Sequence, residues 1–437
     1  MESLHWLLVY LLVLGTPFSI YPVVATGSRG LKPFQFFALL IILVGFARFC
    51  SGAAVQLNTA VKSVLFFCGV ALFSLVGFAV HGGNWLDLID YGSASIQLFI
   101  AAGLVLSVST LKVRRRNLRR LVYVVLGISI LVSVYAIYQS LARMYDFPFA
   151  YLEIYNPSLA DRGGQGGGQF GIFVRPSAFF TEPSRLGQFL LTPTLLSLFL
   201  YISAPRRWNR TYLLVAFVVT AFAFVLGFSM GSYIAIGVAI AAGLFVRGVR
   251  AYSIRVILTS VGVVVVLSFL FFPFLGVPLW EVIWVRVVAH LQVFGLESVY
   301  SRSPFATTSV SRRLARAQEG FQVWWNHPLL GVGINNFSRF YTQNVGTGLH
   351  SALLQSLAEM GVLGGVAFLM LAFSAPLRLL WKWRLFRGWE QSLYVAVGLG
   401  LLGRAVWMIL AGNYLLEFFW LDMVMATLLL SYGSAVE

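Results

Sequence analysis

The feature that most constrains this chain is a series of apolar stretches, each long enough to cross a bilayer. A helix needs about 20 apolar residues to span the hydrocarbon core. Stretches of that kind fall near 5–25, 34–51, 61–80, 92–110, 121–141, 185–203, 211–228, 231–247, 256–276, 351–377, 391–411 and 413–432. With 59% hydrophobic and 11% charged residues over 437 positions, the chain holds more apolar surface than one water-soluble core buries. Lipid accepts that surface directly. The expected fold class is an all-α polytopic membrane protein of about 12 transmembrane helices, a single transmembrane domain over 1–437. The start, Met1-Glu2-Ser3-Leu4-His5, lacks the basic residues of a cleavable signal peptide, so the first stretch is expected to stay as a membrane helix. Cys50 and Cys68 show no metal-ligand spacing and read as packing residues.

A net charge of +16 raises the question of nucleic acid, but the basic residues sit in short linkers between spans. The densest run, Lys112, Arg114, Arg115, Arg116, Arg119 and Arg120, separates two apolar stretches. Arg206, Arg207 and Arg210, then Arg247, Arg250 and Arg255, then Arg378, Lys382, Arg384 and Arg387 do the same. Short basic linkers face the cytoplasm. An even number of spans then makes both termini cytoplasmic and puts two long segments, 142–184 and 277–350, outside. No internal repeat is visible, which disfavours a transporter built from duplicated halves.

The first outer segment carries a glycine-rich run, Asp161 to Gly171, without the Gly-Lys-Ser/Thr ending of a nucleotide loop. It reads as a flexible loop or as a flap over a polar ligand. Next comes Arg175-Pro-Ser-Ala-Phe-Phe-Thr181-Glu182-Pro183-Ser184-Arg185, leading into a span. Thr181 or Glu182 suits the N-cap, and Pro183 suits the first turn, where its missing N–H costs nothing. Arg185 sits at the positive end of that helix's dipole and needs an anionic offset: Glu182 three residues before it, lipid head groups or a bound anion. Arg175 precedes the helix and reads as a ligand-binding cation.

In the second outer segment, residues 309–325 show an apolar stripe at Leu314, Ala317, Phe321 and Trp324/Trp325, which is helical spacing. Arg312 and Arg316 share one face, and Arg313 lies three residues from Arg316. An amphipathic helix along the outer interface is expected, ended by Asn326-His327-Pro328. His350 opens the following span, where the positive end of the dipole favours a neutral imidazole, the form a general base requires. An interfacial hydrogen bond is the alternative role. Glu359, nine residues on, falls on the opposite helix face and is not expected to touch His350. Inside the last two spans, Arg404, Glu417 and Asp422 pair with one another or reach a ligand. Asp87 and Asp90 read as solvated acids.

His350-Ser351, nine residues, then Gly361-Val-Leu-Gly364 resembles the His-Ser/Asn…Gly-x-x-Gly signature of the O-antigen polymerase and O-antigen ligase superfamily. Arg313-Leu…His327-Pro-Leu-Leu-Gly331-Val-Gly333…Phe337 resembles the stretch before that histidine, and Arg175…Phe179-Phe180-Thr-Glu182-Pro183-Ser184…Gly187 the family's other outward arginine motif. The resemblance implies a metal-independent, inverting glycosyltransferase of the multi-span GT-C type, with no cofactor, in the bacterial inner membrane. Its donor would be an undecaprenyl-diphosphate-linked glycan at the periplasmic face. The acceptor would be a lipid-linked repeat unit for a polymerase, or lipid A–core for a ligase. Membrane lipids and a chain-length regulator would be the further partners, and no nucleic acid is expected. His350 would be the catalytic base, with Glu182 sharing that role or orienting an arginine. Arg175 and Arg313, assisted by Arg185, Arg312 and Arg316, would hold the diphosphate, whose oxygens suit guanidinium forks. An acid at Glu182 tilts the reading towards polymerase. The contrasting class is a transporter or flippase of the same lipid.

Overall fold

A computed structural model describes residues 1–26, 29–80, 85–155, 169–170, 173–203, 209–245, 304–340 and 349–434, with positions 254, 258 and 262. Only the backbone is described at 85–87, 89–90, 169–170, 173, 304–314 and 338–339. The described chain is almost wholly helical: α1 (Glu2–Gly15), α2 (Pro33–Cys50), α3 (Thr59–Val80), α4 (Trp85–Val108), α5 (Arg115–Tyr145), α6 (Pro183–Ser203), α7 (Arg210–Leu226), α8 (Met230–Phe245), α9 (Pro304–Asn326), α10 (Ala352–Lys382), α11 (Trp389–Ala411) and α12 (Glu417–Ser434). Seven of these are long and apolar enough to cross a membrane, and α1, α7 and α8 are shorter apolar helices. The protein is an all-α polytopic membrane protein. Eleven of the twelve expected stretches correspond to helices, and the one near 256–276 lies outside the described residues. The glycine-rich run lies outside them too, apart from 169–170, which pair as a two-residue strand with 173–174.

The first stretch departs from expectation. Helix α1 stops at Gly15 rather than continuing to residue 25. Pro17 is the reason: Thr16 still has helical dihedrals, but Pro17 has no N–H to give the Val13 carbonyl and its ring crowds that carbonyl. The chain then forms a small hairpin, Val24–Thr26 against Arg29–Leu31. Helix α2 begins at Pro33, and the Lys32 N–H donates back to Gln35 Oε1 at 3.1 Å.

At the centre lies α12, buried on nearly every side among α3, α4, α6, α10 and α11. A helix apolar all round belongs in such a position. Small residues let its neighbours approach closely. A Cβ at Gly403 on α11 would lie 2.7 Å from the Ala235 carbonyl of α8, and one at Gly187 on α6 would lie 2.6 Å from Ser232 Oγ. Outer faces carry Leu43, Phe46 and Phe49 of α2, Leu72 and Phe73 of α3, and Val366, Met370 and Leu377 of α10, all exposed. That band needs lipid to cover it.

Polar contacts sort the helix ends into two sets. At one end Arg115 pairs with Glu390 at 2.8 Å, and Tyr432 donates to the same carboxylate, joining the starts of α5 and α11 to the end of α12. At the other, Lys32 and Arg185 both face Glu417, joining the starts of α2, α6 and α12.

Inside the bundle, Arg404 Nε donates to Asp422 Oδ2 at 2.6 Å, and Thr192 Oγ1 donates to the same oxygen at 2.8 Å. All three side chains are buried. Of the two roles open to Arg404 and Asp422, the structure shows pairing across the α11–α12 hairpin. Removing one partner of a buried ion pair costs about 3–5 kcal/mol, whereas replacing both by apolar groups is often neutral. Arg404→Met is therefore expected to lower the melting temperature in detergent sharply. The double variant Arg404→Met/Asp422→Leu is expected to recover most of the loss, with thermal unfolding as the measurement.

Candidate active site

The turn after α9 and the break in α10 form one interlocked unit. Gly361 lies within α10 at φ 68° and ψ −165°, so the helix is interrupted there. A break frees carbonyls that a regular helix would bond to N–H groups four residues on. The turn after α9 satisfies them: Val332 N–H donates to the Ala358 carbonyl at 3.0 Å, and Gly333 N–H to the Glu359 carbonyl at 2.8 Å. In return, the Val362 N–H released by the break donates to the Pro328 carbonyl at 2.8 Å. The approach is so close that a Cβ on Gly361 would lie 2.1 Å from the Leu329 carbonyl oxygen, and one on Gly331 2.4 Å from Met360 N. The motifs His327-Pro-Leu-Leu-Gly331-Val-Gly333 and Gly361-Val-Leu-Gly364 are two halves of this joint.

Helix α9, expected over 309–325, runs from Pro304 to Asn326 and ends just before His327-Pro328. His327 holds a structural place, its ring against Phe340 at 5.4 Å. At the head of α10, Ser351 is the N-cap and its hydroxyl accepts the Leu354 N–H at 3.3 Å. That explains the Ser/Asn choice after the histidine, because both are good N-cap residues. Leu349 sits against Gly320 of α9, where a Cβ would come within 2.7 Å of its side chain. The contact brings α9 and His350 together. Arg316, one turn before Gly320 and buried, lies with Nη1 2.7 Å from His350 Nε2. A guanidinium only donates, so Nε2 is the acceptor and the imidazole is neutral with its proton on Nδ1. Among the described side chains, Arg316 is the expected arginine that meets His350. The side chains of Arg312 and Arg313 lie outside the described residues; their backbone positions are about one turn before Arg316 on α9.

The first outer segment is held by α5. Buried Arg143 donates from Nε to the Ala150 carbonyl at 2.9 Å and from Nη1 to the Arg175 carbonyl at 2.6 Å, and its plane lies over Tyr151. Gln139 Oε1 accepts the N–H groups of Ser177 and Ala178 at 2.9 and 2.7 Å. So anchored, Arg175 directs Nε and Nη2 to the Gly227 carbonyl at 2.9 and 2.7 Å. Gly227 is the C-cap of α7, the end of a helix dipole that favours a cation. Helix α6 starts at Pro183, and the buried Thr181 hydroxyl has no hydrogen-bond partner among the described residues. Glu182 is exposed, and its Oε2 accepts the Ser184 hydroxyl at 3.1 Å. Arg185 faces a carboxylate that was not among the three expected offsets and comes from far along the chain, Glu417 Oε2 at 4.0 Å. Lys32 Nζ donates to the other oxygen of the same group.

The structure therefore brings Arg316 to His350 and Arg185 to Glu417, and sets Arg175 on the end of α7. Sequence reasoning missed Gln139, Arg143, Lys32 and Tyr414. Arg143 and Gln139 carried a signal, a cation and an amide at the end of an apolar stretch, where polar groups are costly without partners. Lys32 and Tyr414 gave none, since interfacial Lys and Tyr are ordinary.

Residues 215–369 match the protein family described as O-antigen ligase, about a third of the chain. That segment includes α9, the interlocked turn, Arg316, His350 and the break at Gly361, whereas Arg175, Glu182 and Arg185 lie before it. Among curated proteins none matches the chain.

Proposed function

We propose that this chain, whose residues 215–369 match the O-antigen ligase family and so support the O-antigen ligase and polymerase superfamily, is a polymerase moving a glycan from undecaprenyl diphosphate to the terminal sugar hydroxyl of a lipid-linked repeat unit. The observation that carries the reading is the hydrogen bond from Arg316 to His350 Nε2 at the head of α10. A neutral imidazole beside a guanidinium sets a proton acceptor next to a phosphate-binding group, and this reaction needs both.

In the proposed reaction the donor diphosphate lies against Arg316, with Arg312 and Arg313 on the preceding turn, and with Arg185 and Arg175 from the first outer segment. As Arg316 turns to the phosphate oxygens, Nε2 of His350 is released to face the acceptor hydroxyl. The acceptor oxygen attacks the anomeric carbon from the side opposite the diphosphate, and its proton passes to Nε2. The bond from that carbon to the phosphate oxygen breaks, the electron pair leaves on undecaprenyl diphosphate, and the sugar carbon is inverted. The guanidinium groups stabilise the charge that grows on the leaving group. Glu182, close to Arg185 in sequence, orients the arginines or assists the base. The site is placed on the periplasmic face of the inner membrane, where short basic linkers on the other side hold both termini in the cytoplasm.

The description of the matched family favours a second reading, a ligase whose acceptor is lipid A–core. Purified protein in proteoliposomes, given lipid-linked repeat units alone, separates the two. Chain growth is the expected result. Growth of no chain until lipid A–core is added would replace the polymerase with the ligase.

A further inference from the structure

We propose that Glu359 is a positioning residue of the reaction, acting with Tyr414 as a polar bolt that sets the Arg316–His350 contact; this rests on the function proposed above. Glu359 is 2% exposed, and each partner it has among the described residues is a neutral donor. Gln355 Nε2 donates to Oε1 at 3.1 Å, the Tyr414 hydroxyl donates to Oε2 at 2.5 Å, and the Asn335 backbone also bonds to the carboxylate. Three donors from three elements converge on one group: α10, the turn after α9, and the turn between α11 and α12. The two carboxyl oxygens have lone pairs enough to accept from all three, whereas an amide would turn its NH2 towards a donor.

The location gives the bolt its purpose. Glu359 lies two residues before the break at Gly361, and its backbone carbonyl accepts the Gly333 N–H. Asn335 is held at φ 60°. Side chain and backbone together fix the turn that immediately follows α9, and so fix how α9 lies against the head of α10. Arg316 on α9 and His350 before α10 meet across that junction. Tyr414, fully buried and edge-on to Phe67 of α3, extends the connection to the α11–α12 turn. Three residues further on, Glu417 faces Lys32 and Arg185. Glu359 touches neither member of the Arg316–His350 pair; its effect passes through the turn.

The test uses the full chain in proteoliposomes with undecaprenyl-diphosphate-linked repeat units. Glu359→Gln is expected to lower kcat by about tenfold to a hundredfold, as a small misplacement of reacting groups does, with KM for the lipid-linked donor within about twofold. Tyr414→Phe, which removes one hydroxyl, is expected to act in the same direction and less strongly. In an Arg316→Ala background, which has no contact left to position, each change is expected to cost no more than about twofold further. A merely structural role predicts the opposite: full additivity in that background, or a rise in KM with kcat unchanged. Either result overturns the proposal, as does a wild-type rate for both variants. Should Glu359→Gln fail to accumulate, Tyr414→Phe decides alone. Full activity of His350→Ala would instead strike the proposed function itself, and so separates the two failures.

Discussion

Gly361→Ala is expected to leave little folded, active protein. The backbone at this position, φ 68° and ψ −165°, lies in a region open essentially to glycine, and an alanine held there stores about 1–3 kcal/mol. Sterics add to the strain. The new Cβ would sit 2.1 Å from the Leu329 carbonyl oxygen and 2.8 Å from Leu330 N, both backbone atoms that cannot swing aside. The turn after α9 would have to withdraw, giving up the bonds from Val332, Gly333 and Val362 across the joint. With it would go the seat of α9 and the 2.7 Å contact between Arg316 and His350. A lower melting temperature, and transfer reduced by roughly a hundredfold or more, are the expected readouts in detergent and in proteoliposomes. Gly69→Ala is the control, because a Cβ there meets nothing within 4 Å and alanine is the better helix former. Wild-type stability and rate for Gly361→Ala would show that the joint yields, and the account of the two motifs would fail.

His350→Ala is the second large effect, and it should separate chemistry from folding. The helix start belongs to Ser351, whose hydroxyl caps α10, so loss of the imidazole leaves the cap in place. Melting is expected to change little. The rate of glycan transfer should fall by about 10²–10⁴, the usual contribution of a positioned general base. Donor binding, measured with undecaprenyl diphosphate itself, should hold or tighten, because Arg316 no longer spends a donor on Nε2. A variant with full activity would remove His350 from the reaction.

Much of this molecule is readable along the chain, and what is not has physical causes. Membrane helices are legible because about 20 consecutive apolar residues have no alternative use in a soluble core. The end of α1 was set by a local proline inside an apolar run, and hydropathy outweighed it in the reading of 5–25. The amphipathic helix α9 was visible from periodicity alone, and so was the stop at His327-Pro328. That Arg316 meets the histidine was not, because Arg312, Arg313 and Arg316 are equivalent by type and lie within little more than one turn. The place of Arg316 depends on how α9 packs against Leu349 through Gly320. The partner of Arg185 was beyond local reasoning for a similar reason. Glu182 is the neighbour by sequence, yet Glu417 reaches it from the start of α12.

Glu359 is the instructive case. Nine residues from His350, it makes its hydrogen bonds to Gln355, Tyr414 and the Asn335 backbone. What a helical wheel leaves out is the break at Gly361, which draws another segment of chain onto α10 and links Glu359 to the turn after α9.

The most direct test of the account follows product and leaving group together. Wild-type protein in proteoliposomes, supplied with lipid-linked repeat units in a chelator-treated buffer, should release one undecaprenyl diphosphate for each glycosidic bond formed. The new bond should have the anomeric configuration opposite to that of the donor, as read by NMR of the product. Retention of configuration would contradict direct displacement with His350 as base, and movement of intact lipid-linked glycan across the bilayer without bond formation would make the protein a transporter.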